Sequence, residues 1–302
     1  MAEKILLKKI TLFLEMIKFE HTLFAMPFAI ISMFLARDGL PLAVKPGAGR
    51  LGRAGLKDFV LIVLCMVFAR TAAMSFNRLA DFKLDAENPR TRTRALPAGK
   101  IKRRTAIGLT IIFSLLFIAT TFFFEKKLAF YLSPLALAIV LTYSFSKRFT
   151  IWTHLWLGGC LAIAPIGVWI AIRGEIATAP LILGLAVCLW TAGFDIIYAT
   201  QDVEFDRKKG LYSIPAKWGV AAGLKISTAL HLLMIAVLFL LLRFAHLGLI
   251  YIVGVTLVAV LLIYQHSIVR PDSLSKVNVA FFTVNGFVSL GLMAVVILDI
   301  LV

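Results

Sequence analysis

The stretch DFVLIVLCMVFARTAAMSFNRLADFKLD, residues 58–85, decides the fold. Residues 58–80 form an apolar run of the length that a helix needs to cross about 30 Å of hydrocarbon. The run leads into Asn77, Asp81 and Asp85, whose spacing of four residues places them on one face of a helix. This stretch therefore predicts a membrane-spanning helix that carries polar groups at one end.

The composition indicates that lipid surrounds most of the chain. Of its 302 residues, 61% are apolar and 16% are charged, whereas a soluble domain has about 45–50% apolar and 25% charged residues. We therefore predict one all-α, polytopic membrane domain over residues 1–302, with nine transmembrane helices. The predicted spans lie near residues 20–36, 58–80, 105–124, 128–146, 153–172, 180–200, 222–242, 246–265 and 278–301.

The charge pattern sets the expected topology. Residues 1–19 carry an amphipathic pattern that predicts a helix lying on the membrane surface. The net charge of +16 could suit a nucleic-acid partner, but the basic residues lie in short loops between apolar runs, where Lys and Arg set topology. With nine spans and the N-terminus inside, most of the 32 Lys and Arg residues face the cytoplasm. We therefore expect no nucleic-acid partner and a location in the cytoplasmic (inner) membrane.

A second polar stretch follows the sixth predicted span. Residues 198–206 read YATQDVEFD, in which Asp202 and Asp206 repeat the spacing of four, and Asp195 lies two turns earlier. A single pair of this kind has a simple explanation, because solvated helix ends readily carry aspartates. Two copies at the same membrane face, on a chain with 16 acidic residues, favour a functional site that faces the cytoplasm.

Carboxylates that converge on one membrane face repel each other, by about 4 kcal/mol per pair at 4 Å and an effective dielectric of 20. Cations must therefore lie between them, and Mg²⁺ suits oxygen ligands while keeping coordination sites for phosphate oxygens. Basic residues beside both clusters add donors for phosphate, although each one alone also fits the positive-inside rule. The pattern predicts a diphosphate held between two acidic helices through metal ions. The nearby basic residues include Arg90, Arg94, Lys147 and Arg148.

These motifs resemble the UbiA family of intramembrane prenyltransferases, in particular its 4-hydroxybenzoate polyprenyltransferase group. The specific segments are NRLADFKLDAENPRTRTRALPAG at 77–99 and DIIYATQDVEFDRKKGLYSIP at 195–215. Weaker support comes from YSFSKRFTIWTHLWLG at 143–158 and from the region of Asn278 and Asn285.

The resemblance implies a nine-helix bundle around a central cavity, capped by cytoplasmic loops 81–104 and 202–221 and open sideways to the membrane lipids. It also implies Mg²⁺ as the cofactor, with polyprenyl diphosphate and an aromatic acid as substrates. Arg78 departs from the family pattern, which commonly has an aspartate after the asparagine of the first motif. The implied metal ligands are Asn77, Asp81, Asp85, Asp202 and Asp206, and the four aspartates are the implied catalytic residues. The implied diphosphate-binding residues are Asn77, Arg90, Arg94, Lys147 and Arg148.

The acceptor implied by the resemblance is 4-hydroxybenzoate, in ubiquinone-type quinone biosynthesis. Likeness of the second motif to a menaquinone-pathway subgroup keeps a dihydroxynaphthoate open as the alternative. Arg70 lies seven residues before Asn77 and roughly 10 Å deeper, at 1.5 Å per residue. We expect Arg70, with His21, to receive the acceptor's carboxylate, and we place Asp195 and Tyr198 on the acceptor side. The alternative for Arg70 is a structural bond to a backbone carbonyl or another helix.

A membrane transporter is the alternative from another functional class. Its polar residues and broken helices would lie near mid-membrane, in two similar halves. Acidic groups at one membrane face, beside arginine-rich loops, favour an enzyme instead. His154, His231, His246 and His266 have no mutual spacing that fits a metal site.

Overall fold

A computed structural model describes Met16, residues 22–38 and residues 53–302 of the chain. The surface helix predicted over 1–19, apart from Met16, lies outside the described residues, as does His21. The described part of the chain is all-α, which confirms the predicted fold class.

The helices follow the predicted apolar runs to within a few residues, because each run must be long enough to cross the lipid. In chain order they are α1 (Thr22–Asp38), α2 (Arg53–Ala80), α3 (Phe82–Glu87), α4 (Arg103–Phe122), α5 (Leu128–Thr142), α6 (Thr153–Arg173), α7 (Thr178–Ala199), α8 (Val203–Lys209), α9 (Ile214–Trp218), α10 (Val220–Leu241), α11 (Leu249–Ile268) and α12 (Asn285–Leu301). Two 3₁₀ segments, Tyr143–Arg148 and Thr200–Asp202, extend α5 and α7.

The number of membrane crossings agrees with the sequence prediction except at α1. Within the described residues, 8 helices are long and apolar enough to span a membrane. Helix α1 contributes a shorter apolar helix over Phe24–Arg37. The chain is thus an integral membrane protein, and the ninth crossing stays a prediction that depends on α1.

The long helices form a closed ring. Helices α2, α4, α5, α6, α7, α10 and α11 each contact the next long helix along the chain, the last of these contacts being with α12. Helix α1 contacts both α2 and α12, which closes the ring, and it also packs on α6. Short connections between antiparallel neighbours favour this order, because consecutive helices then pack side by side.

Helix α7 is held closely on both sides. A Cβ atom at Gly158 of α6 would overlap the backbone of Cys188, so glycine lets α6 and α7 approach closely. A Cβ atom at Gly193 of α7 would likewise overlap the imidazole of His231 on α10. These contacts fix the helix that carries the second aspartate motif.

Both aspartate motifs lie where a long helix gives way to a short one. The chain turns at Asp81, between α2 and α3, yet the bonds Asp81 N to Asn77 O (2.9 Å) and Asp85 N to Asp81 O (2.7 Å) keep the helical spacing. Helix α7 continues through Thr200–Asp202 into α8, which ends at Gly210 with a φ of 66°. The two motifs therefore project from matching ends of the ring.

The last predicted span departs from a regular helix at its start. Residues Val279–Val284 form a π-helical segment before α12. The amide of Asn285 donates to the carbonyl oxygens of Ala280 (3.3 Å) and Phe281 (3.0 Å), and its oxygen accepts from Trp190 Nε1 (3.0 Å). This buried side chain thereby satisfies the altered turn and ties α12 to α7.

Candidate active site

One cavity of about 550 Å³ joins the two aspartate motifs to the apolar interior of the ring. All four aspartates line it, together with Asn77, whereas most of the deeper wall is aliphatic or aromatic. Leu135 and Ile139 of α5 line the cavity and are exposed, which suits an opening between the helices on this side of the bundle. The cavity therefore has a charged end and an apolar arm.

Asp81 is the more open carboxylate of the first motif. Its Oδ2 accepts a hydrogen bond from Asn77 Nδ2 (3.0 Å), and its Oδ1 lies 3.3 Å from Arg148 Nη2. Burial and the neighbouring Asp85 carboxylate raise the pKa of Asp81, while Arg148 opposes the shift. The amide of Asn77 also lies 3.5 Å from the hydroxyl of Ser144. Asn77 and Arg148 thus fix the orientation of the Asp81 side chain at the cavity wall.

Asp85 is buried and only partly compensated. Arg94 Nη1 donates to its Oδ1 at 2.7 Å, and Arg78 Nη1 lies 3.8 Å from Oδ2 without a hydrogen bond. Asp85 Oδ2 is a buried oxygen without a hydrogen-bond partner among the described residues. Leaving a carboxylate oxygen buried without a partner costs free energy, unless a ligand supplies the missing interaction. Arg78, the residue that departs from the family pattern, thus supplies a second positive charge beside Asp85.

Asp202 in the second motif is fully engaged by neighbouring side chains. Arg90 donates hydrogen bonds to both oxygens of Asp202. Its Nε donates to Oδ1 at 2.9 Å, and its Nη2 donates to Oδ2. Asn88 Nδ2 donates to Oδ1 at 3.2 Å, and Arg90 Nη1 donates to the Tyr198 hydroxyl at 2.9 Å. Burial alone would lower the pKa of Arg90, but its bonds to Asp202 and Tyr198 outweigh burial and raise it. The 77–99 loop is therefore tied directly to the end of α7.

Asp206 is the most enclosed of the four carboxylates. Ser213 donates its hydroxyl to Asp206 Oδ2 at 3.2 Å, and Lys147 Nζ lies 3.8 Å from the same oxygen. The carbonyl of Lys147 accepts a hydrogen bond from Tyr212 N at 2.7 Å. The 3₁₀ turn after α5 is thereby fixed against the segment that follows α8.

Each aspartate of the two motifs faces its own basic side chain. This alternation leaves no group of three or more His, Cys, Asp or Glu residues that could hold a metal by themselves within the described ranges. The four carboxylates and the Asn77 amide are hard oxygen donors, which suit Mg²⁺ bound in part by a substrate. The buried, unsatisfied Asp85 Oδ2 fits such an ion. The pairs are Asp81 with Arg148, Asp85 with Arg94, Asp202 with Arg90 and Asp206 with Lys147.

The residues predicted to bind the acceptor lie at two depths in the cavity. Arg70 lines the apolar arm, and its buried Nε has no hydrogen-bond partner among the described residues. Asp195 lines the cavity too, and its Oδ2 lies 2.7 Å from His154 Nδ1. Tyr198 lies at the charged end, where its ring stacks on Phe281 at 4.2 Å between centroids. Arg70 and Asp195 are thus available to a ligand in the arm, whereas the Tyr198 hydroxyl is occupied by Arg90.

Sequence reasoning missed several of these partners. Asn88 and Ser213 contact Asp202 and Asp206, and both lie inside segments that carry the family resemblance. His154 was set aside because no other histidine lies at a metal-site spacing from it. Its partner Asp195 is 41 residues away, so no local spacing could have indicated the pair.

A ring of membrane-spanning helices around an apolar cavity, with one end lined by paired acidic and basic side chains, defines an integral membrane protein with a site for an amphipathic ligand. The model of the UbiA prenyltransferase family matches residues 25–290. The chain therefore belongs to the UbiA prenyltransferase family, as its motifs predicted, and it is an enzyme, a prenyltransferase. This membership favours the enzyme over the alternative of a membrane transporter.

Relatives with names and structures agree with this membership. A 4-hydroxybenzoate octaprenyltransferase of Hahella chejuensis is 32% identical over 248 residues, which cover 80% of this chain and 81% of the relative. The 4-hydroxybenzoate octaprenyltransferase of Vibrio parahaemolyticus is 32% identical over 214 residues, 70% of this chain and 74% of its own.

Solved structures share the fold. The apo structure of a UbiA homolog from Aeropyrum pernix K1 superposes with a TM-score of 0.79 at 33% identity, covering 93% of this chain and 98% of that one. A UbiA homolog from Archaeoglobus fulgidus, bound to GPP and Mg²⁺, has a TM-score of 0.67 at 24% identity and covers 96% and 100% of the two chains.

Proposed function

We propose that this enzyme transfers a polyprenyl chain from polyprenyl diphosphate to 4-hydroxybenzoate, with Mg²⁺, in ubiquinone-type quinone biosynthesis. The reaction takes place at the cytoplasmic side of the inner membrane. The observation that carries the proposal is the charged end of the cavity, where each of four aspartates faces a basic side chain. The names of the octaprenyltransferase relatives support the choice of acceptor.

The charged end suits a diphosphate because it offers both oxygen ligands for Mg²⁺ and basic side chains for the phosphate oxygens. The aspartates and Asn77 would hold Mg²⁺, which supplies positive charge to the diphosphate oxygens when it is bound. Arg90, Arg94, Lys147 and Arg148 would exchange their carboxylate partners for phosphate oxygens, which guanidinium groups bind in the same two-pronged geometry. The ion pairs of the described structure thus preorganise these donors around the position of the leaving group.

The apolar arm suits the prenyl chain. From Asn77 to Ile62, both on the cavity wall, α2 rises about 22 Å at 1.5 Å per residue. A trans chain advances about 3.8 Å over three bonds, so an isoprenoid unit of four bonds covers about 5 Å. The arm therefore houses about four units, and the remainder of a longer chain reaches the lipid beside Leu135 and Ile139.

The acceptor fits beneath the diphosphate. A carboxylate in the apolar arm needs a positive partner, and Arg70 offers one, with a buried Nε that has no partner in the part of the chain that the structure describes. His21 was predicted to assist Arg70 and lies outside the described residues. An aromatic acid whose carboxylate lies on Arg70 directs its hydroxyl-bearing side upward, towards the position of prenyl C1.

The reaction then needs three changes of bonding. The C–O bond between prenyl C1 and the diphosphate breaks, and its electron pair leaves with the diphosphate, whose charge the basic residues stabilise. The ring carbon next to the hydroxyl supplies the pair for a new C–C bond to C1. Loss of the proton from that carbon restores the aromatic ring. The apolar wall excludes water, which would otherwise capture the allylic cation.

A parallel acceptor assay tests this proposal. Purified enzyme in detergent with Mg²⁺ and geranyl diphosphate should form a prenylated product and release diphosphate with 4-hydroxybenzoate. The alternative acceptor, a dihydroxynaphthoate of menaquinone biosynthesis, is supplied in a matched reaction. Transfer to the naphthoate with none to 4-hydroxybenzoate would reverse the assignment of the acceptor, and no transfer to either compound would refute the proposal.

A further inference from the structure

A hydrogen-bonded pair lies below the charged end, and neither of its residues belongs to the proposed diphosphate site. His154 of α6 is fully buried, and its Nδ1 lies 2.7 Å from Oδ2 of Asp195 on α7. Asp195 lines the cavity, while His154 lies behind it. The pair is therefore a carboxylate that faces the ligand space, supported from outside by an imidazole.

The contacts of the imidazole define which nitrogen carries the proton. The backbone N–H of Ile214 points at His154 Nε2, at an N···N distance of 3.3 Å. A backbone N–H can only donate, so Nε2 must accept and carries no proton. The ring proton of neutral His154 is then on Nδ1, where it donates to Asp195. This arrangement fixes the carboxylate and leaves it able to accept one more hydrogen.

The second carboxylate oxygen of Asp195, Oδ1, is the atom that can accept this further hydrogen. No described residue donates a hydrogen bond to Oδ1, and the Asp195 side chain is 13% exposed, towards the cavity. Asp195, Tyr143, Lys147 and Arg70 all line this cavity. The carboxylate thus lies near the residue proposed to hold the acceptor.

The depth of Asp195 matches that of the bound acceptor. Asp195 lies seven residues before Asp202, as Arg70 lies seven before Asn77, which places both roughly 10 Å below the motifs at 1.5 Å per residue. They project from α7 and α2, on two walls of one cavity. An aromatic acid held by Arg70 extends its ring upward from that level, beside the wall that carries Asp195.

We propose that Asp195 Oδ1 is the base that removes the ring proton after the new C–C bond has formed, with His154 as its positioning residue. This inference rests on the proposed prenyl transfer to an aromatic acid. The C–H electron pair returns to the ring and restores aromaticity, the proton goes to Asp195, and its negative charge is neutralised. Release of that proton to water after the product leaves regenerates the carboxylate.

A base within the cavity is needed because the same wall that protects the cation keeps water away from the ring. The departing diphosphate is the rival base, but it is held at the charged end by four basic side chains. A positioned general base contributes about 10²–10⁴-fold to a rate. The orientation of a carboxylate by an imidazole follows the general pattern in which one side chain positions a reactive neighbour.

The test uses 4-hydroxybenzoate deuterated at both carbons next to its hydroxyl. With Asp195 in place, proton loss should be fast relative to C–O cleavage, so deuterium should have little effect on kcat of the wild-type enzyme. Asp195→Asn should lower kcat by about 10²-fold or more and produce a normal deuterium effect, because proton loss becomes limiting. Asp195→Glu keeps a carboxylate and should recover part of the rate. Asp299→Asn is the matched control, since Asp299 is an aspartate that accepts N–H groups of Gly248 and Tyr251 outside the cavity.

The outcomes separate this inference from the function on which it rests. If Asp195→Asn binds donor and acceptor as the wild type does but shows no deuterium effect, Asp195 is not the base and the diphosphate takes the proton. If Asp195→Asn does not fold, His154→Gln provides the test. Loss of the imidazole should leave the Asp195 carboxylate poorly oriented and slow the loss of the ring proton. This variant should therefore also show a deuterium effect, with an unchanged KM for the donor. Absence of any transfer by the wild type would refute the proposed function itself.

Discussion

The charged end of the cavity and its apolar arm are built on opposite principles. At the charged end every motif aspartate has a basic partner, and Asp202 alone receives three hydrogen bonds from Arg90 and Asn88. In the arm, Arg70 Nε has no partner among the described residues, and Gly167 has open space where a side chain would lie. Under the proposed function, the head group would be bound by exchange of charged partners, whereas the arm would bind acceptor and tail by complementary shape and one buried cation.

The largest effect is expected from the charged end, and it should not depend on chain length. Asp81→Ala or Asp202→Ala should lower Mg²⁺-dependent turnover by at least about 10²–10³-fold, as loss of a preorganised electrostatic group does. The measurement is the initial rate with geranyl diphosphate and with a longer donor. Thermal unfolding in detergent serves as the control for folding. Near-normal turnover in either variant would show that its motif does not handle the diphosphate.

An intermediate effect is expected at Arg70, whose buried Nε has no hydrogen-bond partner among the described residues. Arg70→Ala should raise the KM of the aromatic acid about 10- to 100-fold, because a hydrogen bond to a charged group contributes about 1.5–3 kcal/mol. The KM of the prenyl diphosphate should change little, since Arg70 lies below the head group. Equal increases in both KM values would place Arg70 in a structural role and remove the distinction between donor and acceptor levels.

The smallest effect is expected from a change that only reduces the space in the apolar arm. Gly167 of α6 lines the arm, and a Cβ atom there meets nothing within 4 Å. Gly167→Leu should therefore reduce kcat/KM for long donors about 10-fold, as extra methylene groups in an apolar pocket do, and leave geranyl diphosphate unaffected. Gly159→Leu is the matched control, because Gly159 has similar space on the same helix but does not line the cavity. An equal effect on short and long donors would mean that the tail takes another path.

The sequence alone predicted the parts of this account that depend on local patterns. Lipid crossing demands long apolar runs, so the bounds of helices such as α6, Thr153–Arg173 against a predicted 153–172, followed directly. The aspartate motifs were visible because helical spacing places Asp81 and Asp85 on one face. These features need only the period of a helix and the thickness of a membrane.

The remaining features depend on contacts between distant segments. Arg90 lies 112 residues from Asp202, and no spacing rule pairs them. The π-helical start of the last span follows from Asn285, whose bond to Trp190 crosses 95 residues. Arg78 was recognised as a departure from the family pattern, but its place beside Asp85 required the packed structure. Tertiary packing decides these interactions, so local propensity does not reveal them.

If both aspartate motifs hold one diphosphate, the binding of an unreactive donor analogue should require each of them. The affinity of purified enzyme for a geranyl thiodiphosphate analogue would be measured with Mg²⁺ and with chelator, for the wild type, Asp85→Ala and Asp202→Ala. Binding by the wild type should depend on Mg²⁺ and should be lost in each variant alone. Wild-type affinity retained by either variant, or binding that is equal in chelator, would contradict the binding of one diphosphate by both motifs.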